Sequence, residues 1–170
     1  MNCIALRTSR FFPEEDDDPT ARSSFTDKNL KANELLFRRV DTEDVVSAHL
    51  LAAERAPSIG FGRYNISATT PFLPEDLAEL TRDAPSVVER RAPGFAEIYQ
   101  REQWRMFDVI GRVYVNEAAR QDLNWRPKYD FAHALDCLRR NVDFTSPLAR
   151  SIGSKGYHEQ TFDNGPYPLE

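Results

Sequence analysis

The chain has 170 residues, a formal charge of −5 from 22 basic and 27 acidic side chains, and 41% hydrophobic residues, which suits one ordinary soluble domain. The acidic balance weighs against a general nucleic-acid binder, no run approaches the roughly eighteen apolar residues of a spanning helix, and none reads as a charged-then-apolar leader. Only Cys3 and Cys137 are present, both in apolar stretches, so a disulfide framework is not expected and a reducing cytoplasmic setting is.

In chain order, Cys3-Ile4-Ala5-Leu6-Arg7-Thr8 reads as a buried strand. The stretch "PEEDDDPTARSSFTDKN" reads as a solvated loop, and its acidic run Glu14–Asp18 between Pro13 and Pro19 carries a sharper, less favoured reading as a metal-binding carboxylate cluster. Residues 29–36 suit a short helix and 37–40 a short extended piece.

The clearest helix is "DTEDVVSAHLLAAERA". Asp41 or Thr42 caps it, Glu43 and Asp44 suit its positive end, and Ala56-Pro57 stops it. At about 100° per residue, Val45, Val46, Ala48, Leu50, Ala52 and Ala53 share one face, with His49 in its middle. With no second ligand at helical spacing, His49 reads as a buried, hydrogen-bonded core residue rather than a metal ligand or general base.

"GFGRYNISA" gives a strand at residues 63–67. Strand, helix, strand in this order predicts a βαβ crossover with residues 4–8 and 64–66 parallel in one sheet. The rest reads as mainly helical: a helix over 75–81 opened by Pro74, another over 95–107, a short strand with a helical turn in "VYVNEAARQDLNWRP", and an apolar stripe of Phe131, Ala134, Leu135 and Leu138. Trp104 with Phe107 at i+3 reads as core or a partner-facing stripe. Residues 1–145 form the domain, and 146–170, rich in Gly, Pro and Ser, an irregular tail.

Taken in order, "ALRTSRFFPE", "RRVDTEDVVSAHLLAAE", "GRYNISATTPFLPEDLAEL" and "VYVNEAARQDLNWRPKYDFAHAL" resemble the C-terminal half of the NAD-dependent epimerase/dehydratase family, the extended short-chain dehydrogenases. The first is similar to the family's sixth sheet strand and its "LRYFNxYGP" ending. The second is similar to "V-x-D-V-V-x-A-H", through Asp44, Val45, Val46, Ala48 and His49. The third is similar to the last strand, "Y-N-I-G". The fourth is similar to "K-x-R-x-L-G-W-x-P", through Arg120, Leu123, Trp125 and Pro127, and its place in this structural signature implies that Trp125 is a core plug rather than a stacking platform.

The resemblance implies a partial Rossmann-type α/β sheet, its last two parallel strands in a βαβ unit, joined to a mainly helical substrate-binding subdomain. The implied function is the substrate-binding half of an NAD(P)-dependent oxidoreductase acting on a nucleotide-sugar or another hydroxyl-bearing substrate. The family's cofactor turn, Gly-x-x-Gly-x-x-Gly, has no counterpart; Gly153-Ser154-Lys155-Gly156 reads as a plain turn. Its base, a tyrosine with lysine four residues on, is absent as well: Tyr64, Tyr99, Tyr114, Tyr129 and Tyr157 all lack that lysine. The chain is therefore expected to start in the middle of the family's fold, to hold no catalytic residue, to be inactive alone, and to bind NAD or NADP only together with a separate N-terminal half.

The resemblance further implies substrate contacts at Arg10, where the family has an asparagine, at Asn29, which opens the family's substrate helix, and at Arg38 and Arg39. The strict count back from Asp44 to the family's diphosphate-binding arginine lands on Phe37 beside them. Arg112 sits near another family phosphate contact, and Ser9 is implied beside the cofactor. An arginine can hold a phosphate or carboxylate bidentately; paired with the acidic run, Arg10 is equally a structural residue. Phe37 in that register and the short segment between Asn29 and the next strand both depart from the family's pattern for a UDP- or dTDP-sugar, and leave open a smaller polyol, sugar acid or other hydroxyl-bearing substrate. The alternative reading is a non-catalytic interaction or ligand-binding module that forms a homodimer, or docks on a partner, through the exposed edge of its first strand. Acid/base chemistry from paired carboxylates is disfavoured, because no such pair lies on an apolar face.

Overall fold

A computed structural model describes residues 2–12 and 19–153. The Glu14–Asp18 run, most of the Gly153–Gly156 stretch and the tail beyond it lie outside the described residues. Among the described residues the architecture is mixed α/β with two small parallel sheets of two strands each.

Strand β1 (Cys3–Thr8) pairs in parallel with β4 (Phe61–Ile66), Leu6 opposite Tyr64. The crossover between them is α3 (Thr42–Ile59), as the sequence predicts. Asp41 caps α3 by accepting the Glu43 N–H at 2.8 Å. The helix does not stop at Pro57 but runs two residues further, to Ile59. Proline removes a single donor, the one owed to the Ala53 carbonyl, and Ala53 is exposed so that water can serve it. Gly60, at φ 77°, then turns the chain into β4, a conformation that favours glycine.

The second parallel pair is shorter. β2 (Arg10–Phe11) lies beside β3 (Arg39–Val40), with Arg10 opposite Arg39. The extended piece over 37–40 is thus a strand only at its end.

Helices α1 (Pro19–Ser24) and α2 (Asp27–Glu34) follow β2. The region read as a loop from its polar residues ends in α1, and α2 starts two residues early because Thr26 caps it through Asn29 N–H at 3.4 Å. A 3₁₀ turn at Pro74–Asp76 leads into α4 (Leu77–Leu80), followed by α5 (Ala84–Arg91), α6 (Phe95–Glu102), α7 (Glu117–Asp122), α8 (Phe131–Arg139) and α9 (Pro147–Ile152). α6 ends five residues short of the expected Phe107. Gln103 takes a left-handed cap, and Trp104 N–H turns back onto the Tyr99 carbonyl at 2.8 Å. Residues 113–115 form no ladder; Tyr114 N–H donates to the Phe37 carbonyl at 2.9 Å instead.

The tail was expected to be irregular, but its first residues are helical. Ser146 N–H donates to Asp41 Oδ2 at 2.9 Å, its hydroxyl caps α9, and Ala149 is buried, so α9 is fastened beside α3.

Two apolar clusters result. One joins β4, α3, α7 and Trp125, through Ala48, Ala52, Tyr64, Ile66, Ala119 and Leu123, with Ile4 and Leu6 against it. The larger is helical, built from α2, α5, α6, α8 and Phe12. Among the described residues no helix is long and apolar enough to cross a membrane.

His49 is exposed, its Nδ1 2.9 Å from the Val45 carbonyl, and Val46 and Leu50 beside it are 44% and 67% exposed. This corrects the buried-histidine expectation. α3 carries apolar residues over more than half its circumference, and the sheet covers only the Ala48–Ala52 flank. Cys3 is exposed, whereas Cys137 is buried with its Sγ 3.4 Å from His133 Nε2.

Candidate functional site

The carboxyl ends of parallel strands are where α/β folds place ligands, because helix starts and loops converge there. Four segments meet at that end. Ser9 donates its N–H and its hydroxyl to the Ile66 carbonyl at 2.9 and 3.0 Å, tying the end of β1 to the end of β4. Ala68 N–H donates to the Arg39 carbonyl at 2.8 Å, bringing β3 alongside. Asn116 Nδ2 reaches the Ser67 carbonyl at 2.9 Å and Thr69 Oγ1 at 3.1 Å. The fourth link is the Tyr114–Phe37 bond.

Under this crossing lies a buried carboxylate flanked by two arginines. Glu34 is fully buried; its Oε1 takes Arg38 Nε at 2.8 Å and its Oε2 takes Arg39 Nε at 2.6 Å. Arg39 also donates to the Phe11 carbonyl at 3.3 Å and lies over the Phe12 ring. Its side chain is 0% exposed, so burial pulls its pKa down and Glu34 holds it charged. Arg10, half-buried across the register, adds a like charge to Arg39.

The structure brings four of the six expected contacts together here: Ser9, Arg10, Arg38 and Arg39. Arg38 keeps about a third of its side chain exposed, while Arg39 faces inward as part of the frame. Arg112 is exposed, two residues before the Tyr114–Phe37 bond, at the margin of the crossing. Asn29 is elsewhere and buried. With Asn33 it clasps the backbone of the turn after α6: both amides donate to the Arg105 carbonyl, at 2.9 and 3.0 Å, and Arg105 N–H returns to Asn29 Oδ1 at 3.1 Å. Tyr99 hydroxyl closes the set on Asn33 Oδ1 at 2.8 Å.

Residues unremarked in the sequence complete the crossing: Glu34, Asn116 and Thr69. Glu34 and Arg38 stand four apart, but α2 ends at Glu34 and Arg38 falls in the piece that reads as extended, so their pairing is not legible in the sequence; nor does anything local announce Asn116, whose partners lie 47 and 49 residues away.

Beyond Thr69 opens a cleft of about 280 Å³ between Thr69–Pro71, Arg91–Pro93 and α8. Pro71, Pro93, Phe131 and Leu135 give it an apolar lining, with Asp130, Asp136 and Arg139 beside them. Arg91 on its rim is held by Asp76, Nε to Oδ2 2.7 Å, and the arginines beside Asp76 keep that carboxyl down at about 2. Ligand pockets run from roughly 300 Å³ upward, so this cleft suits a small molecule rather than a nucleotide-sugar. The Thr69 hydroxyl accepts from Asn116 and keeps its own proton to donate.

A dinucleotide pyrophosphate does not fit what is described. β1 runs through Ser9 straight into β2, and β4 through Ser67–Leu73 into the 3₁₀ turn, so neither strand is followed by a glycine turn opening a helix. Among the described residues no three His, Cys, Asp or Glu side chains gather as a metal site.

Behind the crossing, two segments far apart in sequence are bolted together. Trp125, 0% exposed, donates its indole N–H to Ser47 Oγ at 3.0 Å and the Asp44 carbonyl at 3.2 Å. The Asp44 carboxylate accepts the N–H groups of Lys128, at 2.9 and 3.0 Å, and of Tyr129, at 3.0 Å. Burial pushes Asp44 up to about 6 despite those donors. Tyr129, its hydroxyl on Glu43, is pushed by burial to about 12.

No protein-family model, curated protein or solved structure matches the chain.

Proposed function

We propose that the chain is the substrate-binding portion of an oxidoreductase of the epimerase/dehydratase type, with a partial Rossmann-type sheet, taking a small anionic, hydroxyl-bearing substrate. The nicotinamide cofactor and the tyrosine base come from another polypeptide segment. The observation that carries this reading is the meeting of the two resembling motifs. The Asp44 segment and the Trp125 segment lie 81 residues apart and are joined by indole and carboxylate hydrogen bonds. That junction, together with the parallel β1–β4 pair, supports the resemblance with three-dimensional contacts that the motif order alone lacks.

In this reading Arg10 and the exposed part of Arg38 hold the anionic group, the Thr69 hydroxyl donates to a substrate hydroxyl, and Glu34 with Arg39 fixes the arginine above it. Chemistry by the isolated chain is not part of the proposal. Titration of the purified chain with sugar acids, polyol phosphates and a UDP-sugar tests it. Binding of a small anionic polyol, weakened about tenfold or more by Arg10→Ala, is the expected result. NAD(P)-dependent turnover by the chain alone, or no binding of any of the three classes at millimolar concentration, overturns it.

A further inference from the structure

The cleft beyond Thr69 holds polar groups that the substrate reading leaves unused. Thr70 Oγ1 accepts the Phe72 N–H at 3.2 Å, and its own proton has no acceptor among the described residues. Arg91, on the next wall, places Nε and Nη2 on Asp76 and Nη2 also on Glu75, so that only Nη1 is without a partner among the described residues. Those carboxylates hold the guanidinium still. The α8 wall carries the opposite sign. Asp136 is neutralised by Arg139, Nη1 to Oδ1 2.6 Å. Asp130 takes no salt bridge among the described residues: its Oδ1 caps α8 by accepting the His133 N–H at 2.9 Å, and its Oδ2 has no partner there. The residue is half-buried, so solvent screens its charge less than that of an open side chain. Between the two signs, Pro71, Pro93 and Leu135 offer apolar surface in a space of about 280 Å³.

We infer that this cleft binds a free amino acid with an apolar body, at a site separate from the Arg10 and Arg38 contacts of the proposed function. The carboxylate takes the Thr70 hydroxyl and Arg91 Nη1, the ammonium meets Asp130 Oδ2, and the hydrocarbon lies on the prolines and Leu135. The Thr69 proton stays with the substrate. Both signs are needed, and that selects a zwitterion. A plain carboxylate would sit beside the unanswered charge of Asp130, and a plain amine would leave the two donors of the other walls empty. Size selects a single amino acid over a peptide, because sites for larger ligands begin at roughly 300 Å³.

Amide shifts of the full-length chain, followed by NMR during titration with L-leucine and with 5-aminopentanoate, test the site. Leucine carries both charges on one carbon, and 5-aminopentanoate sets them at the two ends of its stem. At least one of them is expected to move the Thr70, Ala92 and Phe131 amides together and to saturate at millimolar concentration. 4-Methylpentanoate and pentanoate, which lack the ammonium, and 3-methylbutylamine and pentylamine, which lack the carboxylate, are expected to bind about tenfold more weakly or worse. Asp130→Asn keeps the acceptor that caps α8 and removes the charge. It is expected to weaken the zwitterion about tenfold and to leave the plain carboxylates no weaker, a pattern that local unfolding would not give. If Asp130→Asn loses its circular-dichroism spectrum, Asp130→Ser, which also caps, replaces it with the same expectation. No shift at those amides with either zwitterion, equal affinity for a ligand of one charge, or an affinity indifferent to the folded variant overturns the inference. So does a sugar acid that moves the same amides, since the cleft then belongs to the substrate and the substrate reading stands. Failure of every sugar acid and polyol phosphate sinks that reading alone.

Discussion

Glu34 illustrates how a single buried charge sets the geometry of the crossing. Its two oxygens each take one arginine, and Arg39 has no exposed surface of its own. Removing one member of a buried ion pair strands the other, at about 3–5 kcal/mol, whereas replacing both with apolar residues of similar size is often near neutral. Glu34→Gln is therefore expected to lower unfolding free energy by that amount in urea titration, and Glu34→Met with Arg39→Met to cost clearly less than Glu34→Gln. Asp44 gives a pH signature of definite sign. Its folded pKa lies near 6 against 3.8 for the free group, so the native state holds the proton more tightly than the unfolded chain does. The advantage is full below about pH 4, shrinks between pH 4 and 6, and is gone above, a span on the order of 3 kcal/mol. Asp44→Asn is expected to flatten that part of the stability–pH curve. A slope that persists in the variant would assign the effect to other groups. Much at this scale could be read beforehand: the capping role of Asp41 and, through the resemblance, the burial of Trp125. The inward turn of Arg39 and the burial of Asn29 could not, because both depend on partners that tertiary contacts supply, Phe11 and Arg105.

Elements were legible where their signals were periodic and capped. β1, α3, β4 and the stripe of α8 emerge from spacing alone, and the parallel crossover follows from their order. Ends were set by forces that periodicity does not carry. α3 runs through Pro57 because the orphaned carbonyl lies on an exposed face, and α6 stops at Glu102 because the Asn29–Asn33 clasp captures the turn behind it. The exposed flank of α3 misled the reading of His49, since the apolar arc of the helix is wider than the surface offered to it. The junction between α3 and the α7–α8 connection depends on one indole. Trp125→Phe keeps most of the ring but removes the indole donor to Ser47 Oγ and the Asp44 carbonyl, the latter keeping the Ser47 hydroxyl at 2.8 Å, and is expected to cost roughly 1–3 kcal/mol in thermal or urea unfolding. Retention of full stability would show that water takes the indole's place.

For the molecule as a whole, the division into two apolar clusters matters most. The helical cluster is the larger, and the sheet cluster leans on two strands with one face uncovered, where Phe61 is 68% exposed. Regions with less buried apolar area open at lower free energy. Each cluster contains or borders one of the two tryptophans: Trp125 in the sheet cluster, Trp104 against the helical one. Single-tryptophan variants, Trp104→Phe and Trp125→Phe, are expected to show Trp125 fluorescence changing at lower urea than Trp104. Coincident transitions would make the two clusters one cooperative unit.

The two thiols turn that difference into a clock. Cys3 lies open on the sheet, and Cys137 is sealed inside α8. An alkylating reagent in excess should add one mass increment at once and the second only as fast as the helical cluster opens. The interval between the two increments is then a direct reading of how often that interior admits solvent, without any mutation or dye.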